Sequence, residues 1–271
     1  MQLIVDPREL ALLVPREDLV IVHIGEAQSY DAGHVPGALH VTPRELVSGR
    51  RPAVGQLPDL RDLEALFARL GYRHDASFVA YDDEGGGWAG RFLWTLDMIG
   101  HRRWAYLDGG LHAWAAEHLP LEQASNRTAG SPAGHAVHLE LDGRAAIGGD
   151  EILARLDDPR LVFWDSRSRE EFEGRKVVSA RGGHIPGATH LDWLMLMDRA
   201  RQYRLRTDLG ALLERHGITP DKEVVPYCQT HHRSGLSYLA ARCLGYPSVR
   251  AYPGSWSEWG NRDDTPIATG S

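Results

Sequence analysis

Short apolar segments alternate with amphipathic segments along the 271 residues of the chain. The runs LVIVHI (19–24) and LVFWD (161–165) are rich in β-branched and aromatic residues and bounded by polar ones, which is typical of buried strands. In the segment RSGLSYLAARCLG (233–245), apolar residues recur along one helical stripe. The alternation predicts an α/β fold in which a parallel sheet carries helices on both faces.

The order of elements repeats within the chain. GHVPGA at 33–38 recurs as GHIPGA at 183–188, an offset of 150. Three further pairs keep the same order at offsets of 145 or 146: Tyr81 with Tyr227, Gly100 with Gly245, and Trp114 with Trp259. An ordered set of matches whose offset varies by only five residues indicates two homologous structural units.

The repeat predicts three regions. An N-terminal domain spans 1–122 and a C-terminal domain spans 146–271. Residues 123–145 between them are rich in Ser, Ala, Gly and Pro, which predicts a linker. In the second half, VVPYC (224–228) and VRAY (249–252) are predicted to be strands.

Composition restricts the function classes. The net charge of −7 and the lack of a basic cluster argue against binding to nucleic acid or to an anionic membrane. Two cysteines are too few for a disulfide scaffold or a cysteine-rich metal site. The first 18 residues do not resemble a signal peptide, and no apolar run approaches the roughly 18 residues of a membrane span. We therefore expect a cytoplasmic protein.

Cys228 is the candidate nucleophile. It ends the strand run VVPYC and precedes the loop residues Gln229, Thr230, His231, His232, Arg233 and Ser234, after which a helix begins. Ligands of parallel sheets bind at such strand ends, where loop N–H groups and the helix N-terminus favour an anion. The same environment lowers a thiol pKa, and Arg233 adds a positive charge. We therefore expect a nucleophile that carries and passes on an anionic group.

The first half serves as an internal control. Asp82 lies opposite Cys228, so this half has no thiol nucleophile. The glycines at 85–87 lack a phosphate-loop pattern and are expected to form a flexible surface loop. The GH[IV]PGA motif occurs with and without the cysteine, so His34 and His184 are expected to stabilise a turn.

Other candidate residues have weaker patterns. The neighbouring His231 and His232 lack the spacing of a metal site, so no metal is predicted. Cys243 is expected to fill the core, with a regulatory disulfide as an alternative. Trp193 follows GHIPGA on a predicted loop, and it is either a packing residue or a wall of the pocket.

The paired GH[IV]PGA motifs, the replacement of cysteine by Asp82 and the loop CQTHHRS (228–234) together resemble the rhodanese family. The resemblance is to its tandem-domain bacterial thiosulfate sulfurtransferases and covers essentially the whole chain. It implies two α/β domains with the active site in the second, and no cofactor apart from a covalent persulfide on Cys228. It also implies that residues 229–233 cradle the persulfide and that Trp193 lies beside it.

The resemblance leaves the substrates open. It implies a small-molecule sulfur donor such as thiosulfate and an acceptor such as cyanide or a thiol. The loop matches neither the family's thiosulfate motif Cys-Arg-Lys-Gly-Val-Thr nor its mercaptopyruvate motif Cys-Gly-Ser/Thr-Gly-Val-Thr. Two alternatives are a carrier that delivers sulfur to a partner protein and a cysteine-dependent phosphatase of the same domain type. Phosphatases need five residues between cysteine and arginine, and this loop has four.

Overall fold

The computed structural model describes residues 2–14, 16–123 and 136–270, which form two compact units. The first unit is built from Met1–Leu46, Pro58–Asp142 and Met197–Leu205. The second unit is built from Val47–Leu57, Gly143–Leu196 and Arg206–Ser271. Among the described residues, no helix is both long and apolar enough to cross a bilayer.

Strands and helices alternate along the first half of the chain, as predicted. In chain order they are β1 (Ile4–Val5), α1 (Pro7–Leu13), β2 (Leu19–Ile24), α2 (Ala27–Ala32), β3 (Leu39–Val41), α3 (Leu60–Arg69), β4 (Ser77–Tyr81), α4 (Gly87–Met98), β5 (Trp104–Leu107) and α5 (Gly110–Ala116). The five strands pair in the order β1-β5-β4-β2-β3, and every pairing is parallel.

Helices cover both faces of this sheet. Side chains alternate along a strand, so Phe78 and Val79 of β4 point to opposite faces. Phe78 packs against Phe67 of α3 and Phe92 of α4. Val79 belongs to a buried cluster that includes Leu10 of α1 and Trp114 of α5. The predicted fold class is confirmed for the first unit.

The second half has the same alternation with shorter elements. They are α6 (Gly149–Ala154), β6 (Leu161–Asp165), α7 (Arg169–Phe172), β7 (Thr189–His190), β8 (Met197–Asp198), β9 (Arg204–Leu205), α8 (Leu209–Arg215), β10 (Glu223–Tyr227), α9 (Arg233–Cys243) and α10 (Ser255–Trp259). A parallel sheet has the order β10-β6-β7, whereas β8 and β9 form an antiparallel pair within the first unit. One face of the parallel sheet packs on α6 and α10, and α9 contacts β10. The α/β prediction is confirmed here as well.

The strand predicted at 249–252 is reduced to isolated parallel bridges, from Val249 to Val224 and from Ala251 to Ala146. Pro226 in β10 explains the interruption, because proline has no N–H to donate to the neighbouring chain. The bridges nevertheless extend the sheet in the same spatial order as in the first unit.

The GH[IV]PGA motif forms a turn of the same design in both units. His34 stacks on Tyr30 and His184 stacks on Phe172, with ring centroids 3.8 and 3.6 Å apart. In each case the Nδ1 atom of the histidine lies within hydrogen-bond distance of the backbone carbonyl of its stacking partner. The histidines are therefore held by the fold, in agreement with the expectation that they stabilise a turn.

The predicted domain limits, 1–122 and 146–271, remain predictions. Relative to them, the compact units exchange two short segments, 47–57 and 197–205. Of the predicted linker 123–145, residues 124–135 lie outside the described part of the chain.

A buried ion pair stabilises the strand end of β6. Asp165 and Arg167 are essentially inaccessible to solvent, and the guanidinium makes two contacts of 2.6 and 3.1 Å with one carboxylate oxygen. The same guanidinium lies 4.5 Å above the ring of Trp256 and donates a hydrogen bond to the carbonyl of Gly183. Removing one partner would leave the other charge buried without compensation.

We therefore expect Asp165→Asn to lower the free energy of unfolding by about 3–5 kcal/mol. The matched control is Asp264→Asn, because Asp264 pairs with Arg262 at the surface, where solvent screens the two charges, and this substitution should change the stability little. Urea denaturation of both variants would measure the difference. Equal losses would contradict a structural role for the buried pair.

Candidate active site

Cys228 lies between the end of β10 and the start of α9, as predicted. The residue is 1% exposed. Its backbone N–H donates to the hydroxyl of Ser255 at 3.3 Å, and its carbonyl accepts the N–H of Trp256 at 2.9 Å. The start of α10 therefore holds the backbone of the cysteine from one side.

The loop after Cys228 turns sharply to reach α9. His231 has a left-handed backbone with φ of 56°, and its buried ring lies 2.7 Å from the hydroxyl of Ser234. The carbonyl of His232 accepts the N–H of Gly235 at 2.8 Å, which begins the helix. The ring of His231 is therefore held within the loop by its contact with Ser234.

The electrostatic environment favours the thiolate of Cys228. Burial opposes ionisation, but the guanidinium of Arg233 and hydrogen bonds from Ser234 outweigh it, and the charge of His232 adds to their effect. The pKa of the Cys228 thiol is therefore lowered from its usual value. A buried thiolate next to a fixed cation is suited to nucleophilic attack.

Arg233 is held in place by Glu171, a residue that sequence reasoning did not identify. Its two terminal nitrogens donate to the two carboxylate oxygens of Glu171 at 2.6 and 2.9 Å. Glu171 is 3% exposed, and although burial opposes its ionisation, the pairing lowers its pKa to about 2. Bidentate geometry fixes both the position and the orientation of the guanidinium.

Gln229 and Thr230 face a cleft of about 500 Å³ within the second unit, together with Ser179 and Asn261. The side-chain amide of Gln229 donates to the hydroxyl of Ser179 at 3.1 Å. On another side of the loop, the half-buried ring of Trp193 lies 5.7 Å from the ring of His232. The structure thus places Trp193 next to the loop. Its interpretation as a wall of the pocket requires this position.

The first unit contains the same strand–loop–helix arrangement with Asp82 in place of the thiol. The two oxygens of its buried carboxylate accept four backbone N–H groups, from Glu84, Gly85, Gly86 and Ala89, at 2.7–3.2 Å. A loop of this design therefore directs its N–H groups toward an anion at the strand end.

The prediction of a flexible surface loop at 85–87 is wrong. The three glycines are buried, and Gly85 and Gly86 have positive φ angles of 106° and 99°. This backbone turns their N–H groups toward Asp82, a geometry that glycine adopts without strain. Composition alone suggested flexibility, whereas the buried carboxylate orders the segment.

The repeat contains the signal that could have identified Glu171. Tyr30 and Phe172 occupy equivalent positions, since each stacks on the motif histidine, so Ser29 corresponds to Glu171. Ser29 forms a short hydrogen bond with Asp83 instead of binding an arginine. The half that lacks the thiol also lacks the glutamate. In the sequence, Ser168 and Glu171 match a helix capping box, and the structure contains this box as well.

The second cysteine lies away from the loop. Cys243 is half-buried at the end of α9, and both cysteines are free thiols. Within residues 2–14, 16–123 and 136–270, no three His, Cys, Asp or Glu side chains are grouped to hold a metal ion.

The ionisation of Cys228 tests the role of Arg233. We expect Arg233→Ala to raise the thiol pKa, because the positive charge that most favours the thiolate is lost. The pH dependence of alkylation by iodoacetamide, measured in a Cys243→Ser background, would show the inflection at higher pH. Arg215→Ala, an exposed arginine on α8, is the control. An unchanged alkylation profile in Arg233→Ala would remove this residue from the site.

Comparison with known proteins identifies the family. The model of the rhodanese-like domain matches twice, at residues 6–117 and 149–262. The thiosulfate sulfurtransferase of Azotobacter vinelandii is 49% identical over 98% of this chain and 96% of its own length. The sulfur carrier protein TtuD of Thermus thermophilus is 31% identical over 89% of this chain and 87% of its own length.

Solved structures share the architecture. The anaerobic ergothioneine biosynthesis enzyme of Chlorobium limicola has a TM-score of 0.87 at 20% identity, covering 100% of this chain and 71% of that one. At this identity the likeness shows the fold alone. The two domain matches and the full-length relatives show more: the chain belongs to the rhodanese family and is a sulfurtransferase.

Proposed function

We propose that the protein takes sulfane sulfur from thiosulfate onto Cys228 and passes it to cyanide or a small thiol. The observation that carries this assignment is the buried thiol with a lowered pKa, set beside Arg233 and Ser234 at the strand end. Two relatives that are 49% and 48% identical to the chain are named thiosulfate sulfurtransferases, which supports thiosulfate as the donor.

The reaction has two steps. The thiolate of Cys228 attacks the outer sulfur of thiosulfate, the sulfur–sulfur bond breaks, and its electron pair leaves with sulfite. The product on the protein is a persulfide anion. Cyanide then attacks the terminal sulfur of the persulfide, thiocyanate leaves, and the thiolate of Cys228 is regenerated. Charge balances in both steps without an added proton or electron, so the scheme requires no metal or other cofactor.

The loop stabilises the anion in both states. Arg233 provides a positive charge whose position is set by Glu171, and Ser234 donates hydrogen bonds to the thiolate. The persulfide extends the negative charge by one atom, and we assign the cradle of N–H groups to residues 229–234. Asp82 in the first unit, with its four backbone donors, supports this assignment by analogy. Trp193 beside His232 walls the site.

The proposal includes a cytoplasmic location, because free thiols such as Cys228 and Cys243 persist in a reducing compartment. A second candidate function is delivery of the persulfide sulfur to an acceptor protein. The observation that favours it is the similarity to a relative named as a sulfur carrier protein. Both functions use the same persulfide and differ in the acceptor.

Intact mass spectrometry tests the persulfide directly. We expect thiosulfate to add the mass of one sulfur atom to the peptide that contains Cys228, and cyanide to remove it. Cys228→Ser should abolish both changes and the release of thiocyanate. The matched control Cys243→Ser should keep most of the activity, because Cys243 lies on the distant end of α9. Activity in Cys228→Ser and its loss in Cys243→Ser would reverse the assignment.

The length of the loop distinguishes sulfur transfer from phosphate hydrolysis. Four residues separate Cys228 from Arg233, so we expect no hydrolysis of aryl phosphates above that of Cys228→Ser. Inserting one glycine between His231 and His232 should slow sulfur transfer by about tenfold or more, because the donors move away from the sulfur. Phosphatase activity of the natural protein that depends on Cys228 would instead support the phosphatase alternative.

A further inference from the structure

A segment from the first half of the sequence belongs to the second unit. Residues 47–57, here called the brace segment, fold into a compact loop. The N–H of Ser48 donates to the carbonyl of Gln56 at 2.8 Å, and that of Gly49 donates to the carbonyl of Val54 at 3.1 Å. These bonds close the loop on itself, so it presents a defined backbone to its neighbours.

Gly55 in the brace segment lies directly against the backbone of the site. A Cβ atom added at Gly55 would overlap the carbonyl oxygen of Thr230 and would lie 2.5 Å from the carbonyl oxygen of Pro253. The φ angle of Gly55 is outside the left-handed region, so the backbone conformation does not require glycine. The requirement is steric: only a residue without a side chain permits this approach.

Both contact points lie next to the sulfur nucleophile. Thr230 is two residues after Cys228 in the cradle loop. Pro253 is two residues before Ser255, whose hydroxyl accepts the N–H of Cys228. Gly55 therefore touches the loop after the cysteine and the segment that holds the cysteine backbone.

The surroundings of the loop after Cys228 explain why the contact between Gly55 and Thr230 matters for the position of that loop. Gln229 and Thr230 line the cleft of about 500 Å³, so on that side the loop borders open space rather than packed core. The next residue, His231, has a left-handed backbone, a conformation that persists in a non-glycine residue only where its surroundings impose it. A rigid contact at Thr230 supplies such a constraint.

We propose that Gly55 is a positioning residue for sulfur transfer: the brace segment fixes the cradle loop through its contact with Thr230 and Pro253. This inference rests on the proposed role of Cys228. In this arrangement the brace keeps Ser234 and Arg233 directed at the sulfur. Loss of the contact displaces the loop and weakens the stabilisation of the anion, without removing any group that touches it.

The test is Gly55→Ala, studied in a Cys243→Ser background. The new methyl group must push Thr230 away, so we expect the alkylation inflection of Cys228 to move to higher pH. We also expect kcat for sulfur transfer from thiosulfate to cyanide to fall by about tenfold or more. The control is Gly210→Ala on α8, where an added Cβ meets only Leu244 at an ordinary 3.9 Å. It should leave both quantities unchanged.

A second variant covers the case in which Gly55→Ala does not fold. Val54→Gly adds no atom but loosens the brace segment, and it should shift the alkylation profile in the same direction by a smaller amount. A folded Gly55→Ala with the alkylation profile and kcat of Gly210→Ala would overturn the proposal. So would an unshifted profile in Val54→Gly when Gly55→Ala is unfolded.

The alkylation profile also separates this proposal from the proposed function. Alkylation reports on the loop around Cys228 and needs no sulfur donor. If the unaltered protein failed to form a persulfide, the proposed function would fail while the profile still measured the effect of the brace on the thiolate.

Discussion

A buried negative charge at the end of a central strand is the constraint on which both units depend. Removing an anion from water is costly unless hydrogen-bond donors or a cation replace the lost hydration. In the first unit, four backbone N–H groups meet the carboxylate of Asp82. In the second unit, Arg233 and Ser234 favour the thiolate of Cys228. Burial alone would keep that thiol protonated and unreactive.

The two units meet this constraint in different ways. Asp82 is bound on both carboxylate oxygens by its own loop, and burial together with Glu84 raises its pKa to about 6. The thiolate of Cys228 depends on the guanidinium of Arg233, whose position must itself be fixed. Glu171 of α7 fixes it with a carboxylate that is almost fully buried. Support for the reactive thiol therefore extends from the loop to the helix that follows β6.

A second buried pair supports the same region. Arg167, paired with Asp165 at the end of β6, lies against the ring of Trp256 in α10, and the backbone N–H of Trp256 donates to the carbonyl of Cys228. In the first unit the corresponding strand end carries His23, aligned with Tyr81 as Asp165 is aligned with Tyr227. No guanidinium accompanies it, since Gly25 stands where Arg167 would be. The charged pair thus occurs in the unit that holds the thiol.

The sequence by itself determined the features that depend on local patterns. Strand and helix periodicity predicted the α/β class, and the internal repeat predicted two homologous units. The sequence also placed Cys228 between a strand and a helix, as the structure has it. These inferences succeeded because side-chain periodicity and turn residues act over a few neighbouring positions. The interruption of the strand predicted at 249–252 depends instead on Pro226 in the neighbouring strand. The periodicity of residues 249–252 contains no information about that neighbour.

Only the tertiary structure decided which distant residues complete the site. Glu171 reaches Arg233 across 62 positions of sequence, and a capping motif explains the glutamate without reference to the arginine. Gly55 meets Thr230 only because the brace segment folds onto the second unit. The glycines at 85–87 were misjudged for the same reason. The buried carboxylate of Asp82 accepts the N–H groups of Gly85 and Gly86, and contacts of this kind follow from three-dimensional packing, which composition does not encode.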